Sequence, residues 1–333
     1  MRILVLSDTH RKTGDDRPLP GPVLNELATA DLVLHAGDVT SRDLLDQLGE
    51  PHPALELGLT WLEARRPESA DARAVVHGDF RVGNLLFSEQ GITGVLDWEM
   101  AHVGDPAEDL GWLCVASWRF GGDGRMGGMA TVADVLAAYH AAGGDLAVTA
   151  EAVHWWEVLG TFKWAVICVM QAAAHLDGSE RSVELAALGR RTASVERDLL
   201  DLIGVAAAAP GLLDDDAMAP TGPHDAPGAA GLMEAVREFI AAELLPELSG
   251  RTRYLTRVAL RALETGEREV RYGPLLAARH EARLADLGVA DDAELAAALR
   301  SGRLTPGSAQ DAVAAAVADK LLVSDPRRLP STP

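Results

Sequence analysis

The chain has 333 residues, 48% of them apolar and 24% charged, with a net charge of -20 at neutral pH. That length leaves room for two or three cores, and the acidity excludes general binding to nucleic acid or an anionic membrane, which takes a cationic face. The two cysteines, Cys114 and Cys168, sit in apolar helical patterns; they exclude a disulfide framework and point to buried, reduced thiols of a cytoplasmic protein.

In chain order, Arg2–Ser7 reads as a buried strand, too short an apolar run for a signal peptide. Pro22–Thr29 reads as a helix, Asp31–Ala36 as a second strand and Ser41–Leu48 as a second helix. This is a β-α-β-α unit, whose parallel sheet is too small to cover both its faces alone. From Pro53 the pattern changes: Leu55, Leu59 and Leu62 recur at helical spacing until Pro67. Short strands are expected at Ala74–Val76, Leu85–Phe87 and Thr93–Leu96. Helices follow at Pro106–Ser117, Val132–Ala142, Thr149–His175 and Arg181–Ile203. The longest apolar stretch, Val158–Ala174, contains Lys163 and is bracketed by Glu157 and His175, which favours a buried helix over a membrane span. Residues 205–230, rich in Pro, Gly, Ala and Asp, read as a linker. Gly231–Leu322 is helical in pattern, with breaks at Ser249-Gly250, Tyr272-Gly273, Gly288 and Gly302, and no cluster there has metal-ligand spacing.

Chemistry concentrates between His77 and Gly111. Asp79 precedes Asn84 by five residues between two short strands, and Asp97 ends the next strand. Phosphoryl transfer from ATP needs one carboxylate to orient or deprotonate the acceptor, plus an amide and a second carboxylate to hold magnesium. An Asp-x4-Asn pair alone is as readily a turn or a cap. Joined to Asp97-Trp98-Glu99 and Gly104-Asp105-Pro106-Ala107-Glu108-Asp109-Leu110, it resembles the aminoglycoside phosphotransferase and choline kinase superfamily over about Pro53–Gly204. The resemblance implies Asp79 as catalytic base, Asn84 and Asp97 as magnesium ligands, and ATP as phosphoryl donor to a small-molecule acceptor. His77 would pack beneath the loop, while Asp105 and Asp109 would buttress it. Glu99 would stand beside the metal or on the surface, with the two readings even.

The run from Asp97 to Cys114 further resembles the branch fused to, or encoded beside, acyl-CoA dehydrogenases, which implies hydroxyacyl-CoA-type acceptors. Leu232–Leu329 resembles an uncharacterised domain that follows such phosphotransferases.

A kinase-like enzyme also uses a Gly-rich hairpin and a strand lysine over the phosphates. Only Lys12, Lys163 and Lys320 occur, and Lys12 follows Asp8 in a polar loop. The first fifty or so residues instead resemble a calcineurin-like metallophosphoesterase, through Asp8-Thr9-His10 and Gly37-Asp38 after the two strands. That resemblance implies Asp8, His10 and Asp38 as ligands of a manganese or other divalent centre, although its later histidine motifs are missing. The expected organisation is thus an α/β N-terminal fragment over 1–49, a protein-kinase-like, mostly helical C-lobe over 50–204, a linker over 205–230 and an all-α domain over 231–330. An ATP-dependent phosphotransferase is favoured. A phosphodiesterase using the N-terminal residues and a non-catalytic fusion of two truncated enzymes are the alternatives.

Overall fold

The computed structural model describes residues 3–6, 32–35, 45, 48–67, 74–209, 211 and 227–330. The chain forms two compact units. One comprises Met1–Gln47 and Gly58–Lys163, the other Leu48–Leu57 and Trp164–Pro333.

In the first unit, β1 (Ile3–Leu6) and β2 (Leu32–His35) pair in parallel, Ile3 opposite Leu32. Of the helices expected between and after them, only Leu45 and Leu48 of the second lie among the described residues; Leu45 is helical and Leu48 is in a turn. The linker likewise lies largely outside them. Helix α1 (Pro53–Ala64), whose residues up to Leu57 belong to the second unit, carries the leucine stripe read from the sequence, and Leu55, Leu59 and Leu62 are all buried. Next come β3 (Ala74–Val76), β4 (Leu85–Ser88), β5 (Gly91–Val95) and β6 (His102–Gly104). β4 and β5 form an antiparallel hairpin with a bulge at Leu86/Phe87, while β3 pairs antiparallel with β6. β6 has only three residues, too few to show an alternation. Helices α2 (Ala107–Cys114), α3 (Val132–Ala141) and the first half of α4 (Ala150–Leu176) complete the unit. Its core gathers Leu110, Leu113, Met126, Leu136 and Val153. Among the described residues α4 is the one helix long and apolar enough to cross a membrane, and most of its most apolar stretch is buried in the protein.

In the second unit the single helix expected over Arg181–Ile203 is two, α5 (Val183–Gly189) and α6 (Thr192–Leu202). Ser182 caps α5 by accepting from Glu184 N. At the break, Thr192 Oγ1 donates to the Gly189 carbonyl at 2.8 Å. Gly189 lies so close to Ala172 that a Cβ there would come within 2.4 Å of the alanine methyl. Helices α7 (Ala229–Phe239), α8 (Gly250–Asp286), α9 (Asp292–Arg300) and α10 (Pro306–Ser324) follow. Thr305 and Ser308 form a capping box with Pro306 in the first turn, a start signal legible in the residues themselves. The break expected at Tyr272-Gly273 does not occur: α8 runs through Gly273 and Pro274. Thr265 before the proline and Leu276 and Leu284 beyond it are buried, so packing on both sides offsets a local cost of roughly 3 kcal/mol. Leu200, Val205, Leu284, Leu299, Val317 and Leu321 share one core.

Candidate active site

The site is built on the loop between β3 and β4. Gly78 follows His77 with φ +84°, and a Cβ there would stand 2.6 Å from the Met100 carbonyl oxygen, so the turn demands glycine. His77 is buried; its Nε2 lies 2.8 Å from the Leu96 carbonyl, and its Nδ1 accepts from Asp79 N at 3.1 Å. A carbonyl only accepts, so Nε2 carries the proton and Nδ1 the lone pair. From below, Asp109 accepts from His77 N at 2.7 Å and Gly78 N at 3.0 Å. Burial raises the Asp109 pKa, and those two N–H bonds offset part of the rise. Asp109 also lies in the first turn of α2, where the helix dipole favours an anion. Asp105 does not buttress the loop in this way; its Oδ1 accepts from Ala107 N at 2.8 Å and caps the start of α2.

Asp79 is ringed by donors. Asn84 Nδ2 donates to its Oδ2 at 2.7 Å and to its backbone carbonyl at 2.9 Å. Arg81 Nε sits 3.2 and 3.1 Å from the two carboxylate oxygens, and its guanidinium lies over the Trp118 ring. Trp112 Nε1 donates to Oδ1 at 2.8 Å. Neither Arg81 nor Trp112 is among the residues that the sequence motifs mark as functional. Arg81 lies inside the motif and is open to notice, whereas Trp112 is 33 residues away and reaches Asp79 only through the fold.

Asn84 sits where the loop enters β4, and Asp97 just past the end of β5. Leu96 N donates to the Asn84 carbonyl at 2.8 Å, so the hairpin register brings the two residues to one end. Asp97 is exposed and left-handed, φ 71° and ψ 53°, an uncommon backbone for an aspartate. Its neighbours anchor it: Leu96 supplies the carbonyl bonded to His77, and Trp98 packs 4.6 Å from the His77 ring. Glu99 is exposed in the short turn that follows.

The donor set suits a hard cation. With its amide hydrogens on Asp79, Asn84 keeps a carbonyl oxygen, and Asp97 offers an exposed carboxylate. Among the described residues no three His, Cys, Asp or Glu side chains form a cage by themselves, so a cation here would rely on the amide, water and substrate oxygens as well. Asp8, His10 and Asp38 lie outside the described residues.

Deeper in the unit, buried Glu108 lies 3.2 Å from His102 Nε2 and 3.5 Å from Lys163 Nζ. Burial works against its charge, but Lys163 and His102 keep the carboxyl below its ordinary range; the Glu108 bond raises His102 against its own burial. Cys114 and Cys168 are pushed up to about 12 by burial, which leaves both as unreactive thiols.

With this geometry in place, residues 14–152 match the model of the phosphotransferase enzyme family. The chain carries a phosphotransferase-family domain. Residues 246–328 match a domain of unknown function, DUF6285, over helices α8 to α10. Acyl-CoA dehydrogenase family member 10 of Mus musculus is 39% identical over 66 residues, which is 19% of this chain and 6% of that protein. Family member 11 of Gallus gallus is 39% identical over 62 residues, 18% of this chain and 8% of that protein. The chain therefore spans less than a tenth of the length of these relatives. A Ralstonia eutropha crystal structure classed with the aminoglycoside phosphotransferases aligns at a TM-score of 0.40 and 23% identity, over 49% of this chain and 54% of that one.

One reading of the sequence is corrected. The phosphotransferase match begins at residue 14, inside the span assigned to a metallophosphoesterase fragment and well before Pro53. That fragment has no support, and neither does a phosphodiesterase built on it. Two strand-terminal motifs are too little to specify a fold, because polar residues commonly end parallel strands.

Proposed function

We propose that this protein is an ATP- and magnesium-dependent phosphotransferase acting on a small hydroxylated acceptor. The observation that carries the reading is the convergence of Asn84 and Trp112 on the Asp79 carboxylate, with Asp97 brought to the same end of the β4–β5 hairpin as Asn84. Asp79 accepts the acceptor's hydroxyl proton; the hydroxyl oxygen bonds to the γ-phosphorus, the bond to the bridging oxygen breaks, and ADP leaves. Asn84 and Asp97 would hold the cation, which when bound neutralises charge on the phosphate oxygens. His77 and Asp109 fix the loop backbone so that Asp79 keeps its aim.

The relatives named as acyl-CoA dehydrogenase family members favour a hydroxyacyl-CoA acceptor. The test is transfer from γ-labelled ATP to hydroxyacyl-CoA, with simple alcohols and an aminoglycoside as controls. Label should appear in the hydroxyacyl-CoA, and Asp79→Asn should lower the rate at least about a hundredfold while magnesium-ATP still binds. Transfer that survives Asp79→Asn would remove the residue from its role as base.

A further inference from the structure

Asp79 holds more hydrogen-bond donors than a base awaiting a substrate needs. An ionised carboxylate has roughly four lone-pair directions. Asn84 and Trp112 take one on each oxygen, and Arg81 Nε, 3.2 and 3.1 Å from the two, lies across the remaining direction of both. An acceptor hydroxyl must therefore displace a donor.

The three donors differ in how firmly they are seated. Arg81 is part-exposed and reaches Asp79 from two residues along the same loop. Asn84 is buried but committed to the same loop. Trp112 comes from α2, is buried, and is gripped on several sides. Trp118 packs 5.2 Å from it, and Lys163 Nζ lies 5.7 Å from its ring centre. On α4, Gly160 leaves the room its ring occupies, since a Cβ there would come within 3.0 Å of the indole. Lys163 is itself buried and pinned by Glu108. A rigid side chain with two torsions, set on a helix and boxed this way, keeps its N–H direction when the loop donors exchange.

We infer that Trp112 is a positioning residue: its indole N–H fixes the plane of the Asp79 carboxylate, and Arg81 is the donor that an incoming hydroxyl replaces. This rests on Asp79 being the base. The arrangement means that the loop fixes the backbone of the base while the helical core fixes the plane of its carboxylate.

Trp112→Phe keeps the ring in its box and removes only the N–H. The expected result is a loss of about tenfold or more in kcat for phosphate release or transfer from magnesium-ATP, with KM for ATP and Tm essentially unchanged, as for a bond to a charged group lost at the reacting centre. A kcat equal to wild type overturns the inference. So does a loss accompanied by a matching fall in Tm or rise in KM, which would mark a structural role. A second measurement does not depend on turnover or on how Trp112→Phe folds. In 15N-tryptophan NMR of the full chain, the Trp112 indole resonance should lie downfield and move upfield in Asp79→Ala. A resonance that ignores Asp79→Ala shows that the bond is not made, and overturns the inference even if the protein is an active phosphotransferase. A wild type without turnover, but with the resonance responding to Asp79→Ala, instead sinks the phosphotransferase reading and the positioning role with it.

Discussion

The Gly78 turn is where one atom decides the site. A Cβ at φ +84°, 2.6 Å from the Met100 carbonyl, has to be relieved by moving either the loop that carries Asp79 or the turn after Asp97. Gly78→Ala should therefore lower stability by about 1–3 kcal/mol, measured by urea unfolding, and weaken magnesium-ATP binding along with it. A variant as stable as wild type would mean that the loop tolerates a different backbone. Asp109→Ala removes the acceptor from two buried loop N–H groups and should cost a similar amount, about 1–3 kcal/mol. The residues of the candidate site were legible because the loop spaces them locally in the sequence. Asp79, Asn84, Asp97, His77 and Asp109 lie within 33 positions of one another, and the strand–loop–strand arrangement follows from their neighbours. Arg81, in the loop itself, and Trp112, in a helical pattern, carry no such signature, because a loop arginine is usually solvated and a helical tryptophan usually core.

Among the elements, α2 and α8 show what the sequence pattern cannot reveal. Gly111 lets α2 approach α4 so closely that a Cβ would meet Trp156 at 2.4 Å and its backbone at 2.6 Å. Gly111→Ala should push the helices apart and destabilise the protein by about 1–3 kcal/mol, with loss of turnover because Trp112 moves with α2. The glycine was visible as part of the motif; its packing partner, 45 positions on, was not. In α8 the error runs the other way. Gly273-Pro274 is a strong local stop signal, yet the helix continues, held by the buried Thr265 before it and Leu276 and Leu284 after it. If packing alone carries it, Pro274→Ala should raise stability by about 1–3 kcal/mol, read as a higher unfolding midpoint in urea. No gain would show that the ring itself makes a compensating contact. The other breaks expected in this segment, at Ser249-Gly250, Gly288 and Gly302, do fall at helix boundaries, and Asp291 and Thr305 cap the helices that follow the last two with a side-chain acceptor.

For the molecule as a whole, stability in the second unit should depend on pH through one buried cluster. His52 Nδ1 lies 2.9 Å from Glu196, which also pairs with Lys320 at 3.3 Å. Burial opposes the His52 charge, but the bond to Glu196 and the Glu50 carboxylate 3.4 Å away outweigh it and raise its pKa from 6.5 to about 9. The raised pKa gives stabilisation that is full below about pH 6.5 and disappears as pH rises through about 9, amounting to about 3 kcal/mol. Glu196 is held at about 2 by Lys320 and His52 despite complete burial. Its stabilisation is therefore present above about pH 4.5 and fades as pH falls toward 2. Urea midpoints should fall between pH 7 and 9 in wild type and much less in His52→Gln; equal slopes would remove His52 as the cause. The phosphotransferase reading itself turns on whether Asn84 and Asp97 form a nucleotide-bound cation site. Calorimetry of magnesium-ATP binding to the full chain, beside Asp97→Asn and Asp79→Asn, measures this directly. Wild type and Asp79→Asn should bind, and Asp97→Asn should lose the signal. No binding by wild type at millimolar nucleotide, or undiminished binding by Asp97→Asn, would contradict it.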